Sequence, residues 1–174
     1  MRNLVFLLLL GSFALANSLV LQDGKIQAHT EVFGDSTINP ASTNIESDLT
    51  MEDTLESIKG NISIKALSFV SDNKDRDEHM YKVLNSELNP TITFKLTSIV
   101  KQKDGYKLSG LLTLNGVSKK IDTLASIYDT NNTISFSGNF SILLTDFNME
   151  PPTMFFLTVR DLIDIKYSLI YNKG

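Results

Sequence analysis

The chain of 174 residues has no cysteine and no tryptophan, four prolines and only two histidines. Without cysteine there can be no disulfide, thiolate nucleophile or Cys-ligated zinc, so a folded domain must be held by its apolar core. Positive charge is also in short supply. Sixteen Lys and Arg against 20 Asp and Glu give a formal net charge of −4. Nucleic acid and anionic membrane surfaces reward clustered cations, so neither is an expected partner. G-x-S-x-G, H-E-x-x-H, a glycine-rich phosphate loop and a dinucleotide fingerprint are all missing, and with them the common routes to a nucleophile, a catalytic metal or a nucleotide. Ser71-Asp72-Asn73-Lys74 matches two patterns of penicillin-binding enzymes at once. One serine cannot fill both positions, and the K-T-G partner motif is absent. The expectation is a protein that is not an enzyme and needs no cofactor. Metal is not expected either, because His29 and His79 are the only histidines and neither has a ligand-spaced partner.

The one long apolar run lies at the start. Arg2, the stretch Leu4 to Leu10 and the small-x-small site Ala14-Leu15-Ala16 follow the order of a secretory signal peptide. The run is far shorter than the roughly 20 residues that span a bilayer. Residues 1–16 are therefore read as a signal peptide and 17–174 as one exported domain, periplasmic or secreted, with no stable membrane insertion once the signal is gone. That leaves 174 − 16 = 158 residues and, without Arg2, a charge of −5.

What the rest of the chain does have is alternation. Ile92, Phe94 and Leu96 alternate with threonine and lysine, Tyr106, Leu108, Gly110, Leu112 and Leu114 follow, and Asp104-Gly105 between the two runs predicts a tight hairpin. The pattern returns at Ile134, Phe136, Gly138, Phe140, Ile142 and Leu144, with Ser135, Ser137, Asn139 and Ser141 opposite. Ile58 to Ala66 and Ile163 to Tyr171 form further alternating sets. Shorter strands at Lys25 to Val32, Ser42 to Leu49 and Ser118 to Tyr128 bring the total to about eight. Asp75 to Leu84 breaks the period: Met80, Val83 and Leu84 stand at helical spacing behind an acidic first turn, which predicts one short helix. The fold class is all-β. Eight strands can close into an antiparallel barrel or pack as a two-sheet sandwich, and the pattern alone admits both.

Three blocks carry a resemblance. Asp75-Arg76-Asp77-Glu78-His79-Met80 followed by Asn89-Pro90-Thr91-Ile92-Thr93-Phe94, then Tyr106-Lys107-Leu108-Ser109-Gly110-Leu111-Leu112-Thr113-Leu114-Asn115-Gly116-Val117-Ser118-Lys119, and the strand Phe136 to Phe147, resemble in order and spacing the motifs of the YceI-like family. The chain departs from the family at Asn115, where histidine is frequent, at Asn148 in place of the glycine of D-F-G, and at Ser86-Glu87-Leu88, where paired aromatics often stand. The resemblance implies an exported, lipocalin-like barrel that holds a polyisoprenoid or related amphiphile.

A barrel of this kind would be lined by Ile62 and Ile64, by Ile92, Phe94 and Leu96, by Leu108 and Leu112, by Phe136, Phe140 and Ile142, and by Tyr167 and Leu169. From the residues alone a filled core is the simpler outcome, and the resemblance implies an open interior. The expected occupant is an isoprenoid, quinone or fatty-chain molecule. Arg76, Asp77 and His79 are the candidates for its polar head group, set against the plainer reading of a solvated helix start. Two other functions compete: an enzyme that modifies such a lipid at those three residues, and a structural or adhesive β-module without a ligand.

Overall fold

Strands with one apolar and one polar face must curl or pair to hide the apolar side. The computed structural model describes residues 16–32, 35–154 and 156–174, and its strands wrap one antiparallel sheet around an apolar interior. In chain order the elements are β1 (Asn17–Val32), β2 (Asp35–Ile38), β3 (Ala41–Ser42), β4 (Ile45–Ser47), β5 (Thr50–Met51), β6 (Gly60–Lys65), α1 (Lys74–Val83), β7 (Thr91–Gln102), β8 (Gly105–Leu114), β9 (Val117–Asp129), β10 (Thr133–Leu143), β11 (Thr153–Met154), β12 (Leu157–Thr158) and β13 (Leu162–Lys173). The expected signal peptide, apart from Ala16, lies outside the described residues.

The hydrogen-bonded order is β2-β1-β13-β10-β9-β8-β7-β6-β4, nine strands on the path where about eight were expected. The seam between β1 and β6 is bridged by residues 41–51, of which the sequence predicts Ser42 to Leu49 as one strand. The structure breaks this segment into three. β3 and β5 pair with β1, while β4 between them pairs with β6. Ala41 also exchanges backbone hydrogen bonds with Val70, and Thr50 with Lys59. The result is a nearly closed barrel.

β1 is twice the expected length because a bulge conceals half of it. Between Leu21 and Asp23 the register with β13 shifts, so the inward parity changes from Leu19 and Leu21 to Gly24, Ile26 and Ala28. β7 does the same between Leu96 and Ser98, which brings Ile99 inward. Asn115-Gly116 joins β8 to β9 with φ of +49° and +71°, a two-residue turn of the type that matches strand twist. Between β7 and β8 the turn residues are Lys103-Asp104 rather than Asp104-Gly105. Gly105 follows them, pairs with Gln102 and carries φ +141°.

α1 lies one residue from its predicted start. Asn73 caps it, its side-chain oxygen accepting from the Arg76 N–H at 3.1 Å. The helix sits between the end of β6 and the start of β7, at the same end of the barrel as the β8–β9 turn and the long link from β10 to β13. Asn115 fastens these pieces together. Its side-chain oxygen accepts from Asn85 and Asn89 at 3.2 Å each, and its amide donates to the Phe147 carbonyl at 3.0 Å. Asn148 stands at φ +56°, a conformation glycine adopts freely and asparagine tolerates, which accounts for its place in the D-F-G position.

Candidate ligand cavity

The barrel encloses a cavity of about 690 Å³, within the roughly 300–1,000 Å³ range of sites that enclose a small molecule. All twelve side chains expected to face inward line it. Ile62 lies beside Phe94 and Phe94 beside Leu112 across three adjacent strands, with Ile64 opposite Ile92 one step nearer the helix. Leu96 and Leu108 continue that wall downward. Phe136 opposes Leu169, Phe140 packs beside Tyr167 with ring centroids 6.4 Å apart, and Ile142 opposes Ile163 near the upper rim.

The interior stays open partly because glycines face the largest rings. A Cβ at Gly110 would come within 2.7 Å of Phe94 Cε2 and 2.6 Å of the Lys95 carbonyl. At Gly138 it would lie 2.8 Å from Tyr167 Cζ. Both rings therefore lie against the wall instead of across the lumen.

The two ends of the barrel differ. At the end away from α1, Tyr171, Ile58, Ile134 and Leu19 are buried without lining the cavity and act as a stopper. Phe136 and Tyr171 meet edge to face at 5.7 Å, and the Tyr171 hydroxyl shares a 3.0 Å hydrogen bond with Ser47. Burial pushes the Tyr171 phenol up to about 12. At the other end the lining includes α1 and the base of the β11–β12 hairpin.

All three head-group candidates line the chamber, and they differ in what else they hold. Asp77 is buried, and its carboxylate accepts from the Ser71 N–H at 2.9 and 3.1 Å, so it tethers the loop before the helix. That is also the role of the Ser71-Asp72-Asn73-Lys74 turn. Arg76 and His79 border the mouth, and Lys82, three residues further, joins them on the same helix face. Lys82 was missed, although its spacing from His79 was a readable signal. Arg76 Nη1 is 3.8 Å from Asp72 Oδ1. His29 is elsewhere, its Nδ1 bonded to Asn39 at 2.8 Å and its Nε2 3.2 Å from Glu31. Among the described residues no three His, Asp or Glu side chains gather as a metal-binding group, and no helix is long and apolar enough to cross a membrane.

Thr123 and Tyr167 set polar groups deep in the apolar wall. Thr123 donates to the Asn139 carbonyl at 2.8 Å. The Tyr167 hydroxyl is buried beside it, with no hydrogen-bond partner in good geometry among the described residues. Desolvation raises its pKa, and the nearby Thr123 hydroxyl only partly opposes this.

Fold and cavity define a class, the antiparallel β-barrel with one large apolar chamber opening under a short helix. The chain belongs to the YceI-like domain family, which matches residues 21–171. A UPF0312 protein of Yersinia pestis (strain Pestoides F) is 33% identical over 99 residues, 52% of each chain. The chain thus spans about half the length of the curated relatives it matches. Among solved structures, Burkholderia cenocepacia BcnA superposes with a TM-score of 0.74 at 18% identity, covering 84% of this chain and 95% of that one. A polyisoprenoid binding domain from Saccharophagus degradans, implicated in plant cell wall breakdown, gives 0.65 at 12% identity, covering 91% and 99%. At these identities the likeness is one of fold.

Proposed function

We propose that the protein is an exported binding protein that carries or sequesters a polyisoprenoid, quinone or fatty-chain amphiphile inside the barrel. The observation that carries this reading is the large chamber, stoppered at one end and walled mainly by apolar side chains, Ile and Leu the most numerous. Burying about ten methylenes at roughly 0.8 kcal/mol each supplies about 8 kcal/mol before ordering costs, enough for micromolar affinity. The head group stays at the mouth, where Arg76, His79 and Lys82 offer donors to a phosphate or carbonyl oxygen. The polyisoprenoid-binding neighbour supports the ligand class, and the N-terminal sequence supports export.

Native mass spectrometry of the protein purified from its own host tests the reading. The expected result is one long-chain amphiphile per chain, recovered by solvent extraction. Repeated recovery of empty protein would overturn it. Leu112→Trp, which places an indole in the lumen, should lower ligand occupancy several-fold while the barrel stays folded.

A further inference from the structure

Several exposed apolar side chains gather at the open end of the barrel. Leu67 and Val70 follow β6, Leu88 precedes β7, and in the β11–β12 hairpin Phe156 stands in the turn with Leu157 next to it at the start of β12. Phe156 is the extreme case, fully exposed at 101% and held at φ +69°. A bulky side chain in the left-handed region costs conformational energy, and a ring wholly in water recovers none of it from packing. The hairpin presents this ring from an anchored base. Thr153 pairs with Thr158, their hydroxyls 3.0 Å apart, Val159 N–H donates to the Pro152 carbonyl at 3.0 Å, and Arg160 N–H donates to the Glu31 carbonyl at 2.8 Å.

The base of the hairpin is also cavity wall: Pro152, Thr153 and Val159 line the chamber, as do Arg76, His79 and Lys82 of α1. With the far end stoppered, a ligand enters and leaves between these two elements. We infer that this rim docks on a lipid bilayer, with Phe156 and Leu157 inserted among the acyl chains and the basic face of α1 at the head groups. The inference rests on the proposed carrier function and adds the surface from which the ligand is taken. Two apolar side chains fall short of a stable anchor, and the net charge of −4 gives no general attraction to membranes, so the contact is brief and reversible.

The chain has no tryptophan, so Phe156→Trp creates a single reporter at the tip. With phosphatidylcholine vesicles, with and without phosphatidylglycerol, its emission should shift to the blue and be quenched by brominated acyl chains. Tyr128→Trp, at an exposed position near the stoppered end, should stay unshifted. Phe156→Asn, which suits the left-handed backbone, should reduce co-flotation with vesicles about tenfold or more and slow ligand transfer between vesicles. Ligand content after purification should be unchanged. An unshifted Phe156→Trp spectrum, an equal shift at both positions, or wild-type flotation of Phe156→Asn would overturn the docking surface. Native mass spectrometry on the same samples separates the two claims: filled protein that ignores vesicles defeats the docking alone, and empty protein that docks defeats the carrier function alone.

Discussion

Tyr167 and Gly138 share one site on the barrel wall. The tip of the phenol sits over the glycine and beside Thr123 with its hydroxyl unpartnered, a desolvation penalty of about 1–3 kcal/mol. Tyr167→Phe should therefore raise stability by about 1 kcal/mol, read as a higher urea midpoint at unchanged slope. Gly138→Ala should lower it by about 1–3 kcal/mol, because the new Cβ would sit 2.9 Å from the Leu124 carbonyl, a backbone atom that cannot turn aside. At this scale the sequence was most readable where parity was regular. Ile134, Phe136, Phe140 and Ile142 all face inward, as one unbroken alternation requires. It was least readable for polar residues, since nothing local tells that Asp77 turns back to a backbone N–H while Arg76 beside it borders the mouth.

Helix α1 is a small element fixed by its N-cap and by polar contacts to the preceding loop, among them the Tyr81 hydroxyl donating to the Phe69 carbonyl at 2.7 Å. Asn73 caps the first turn, and Asp77 holds the preceding loop through Ser71. Loss of the cap in Asn73→Ala should cost about 1 kcal/mol. Asp77→Ala leaves the Ser71 amide without its acceptor and should cost about 1–3 kcal/mol. Hydrogen exchange distinguishes local from global effects: amides of α1 should exchange faster in both variants while those of β8 and β10 keep their protection, and equal loss in all three elements would contradict the helix's separate role. The helix was legible from its acidic first turn and apolar spacing. The closing seam was not, because β3, β4 and β5 choose partners on opposite sides within eleven residues, and strand pairing of that kind is decided by distant chain.

The pH range of the whole molecule follows from four carboxylates and three phenols. Asp48, Asp122, Asp161 and Asp164 are held below their ordinary value of 3.8 chiefly by hydrogen bonds from Asn61, Ser109, Thr145 and Ser141, Asp122 and Asp164 having further help from Lys107 and Arg160. In each case the folded protein binds fewer protons than the unfolded chain near 3.8. Their stabilisation is complete above that value and is lost as pH falls through the lower folded values. Tyr81, Tyr167 and Tyr171 are shifted up from 10.0, mainly by burial, Tyr171 to about 12. The folded state therefore keeps phenol protons that the unfolded chain releases, and stability drops as pH climbs from 10 towards 12. Two of the acidic contacts sit where opening the barrel would matter. Asp48 joins the seam to β6 through Asn61, with 2.9 Å between Asn61 Nδ2 and Asp48 Oδ2, and Asp161 ties the rim through the Thr145 N–H and hydroxyl at 3.0 and 2.7 Å. Acid should consequently release ligand before it unfolds the central strands. The expected record is a urea midpoint that is flat at neutral pH and falls below about pH 4, with ligand loss at higher pH than the loss of strand circular dichroism. Asp161→Asn should move ligand release towards neutral pH, and release that coincides with global unfolding in both proteins would refute the rim's part in retention.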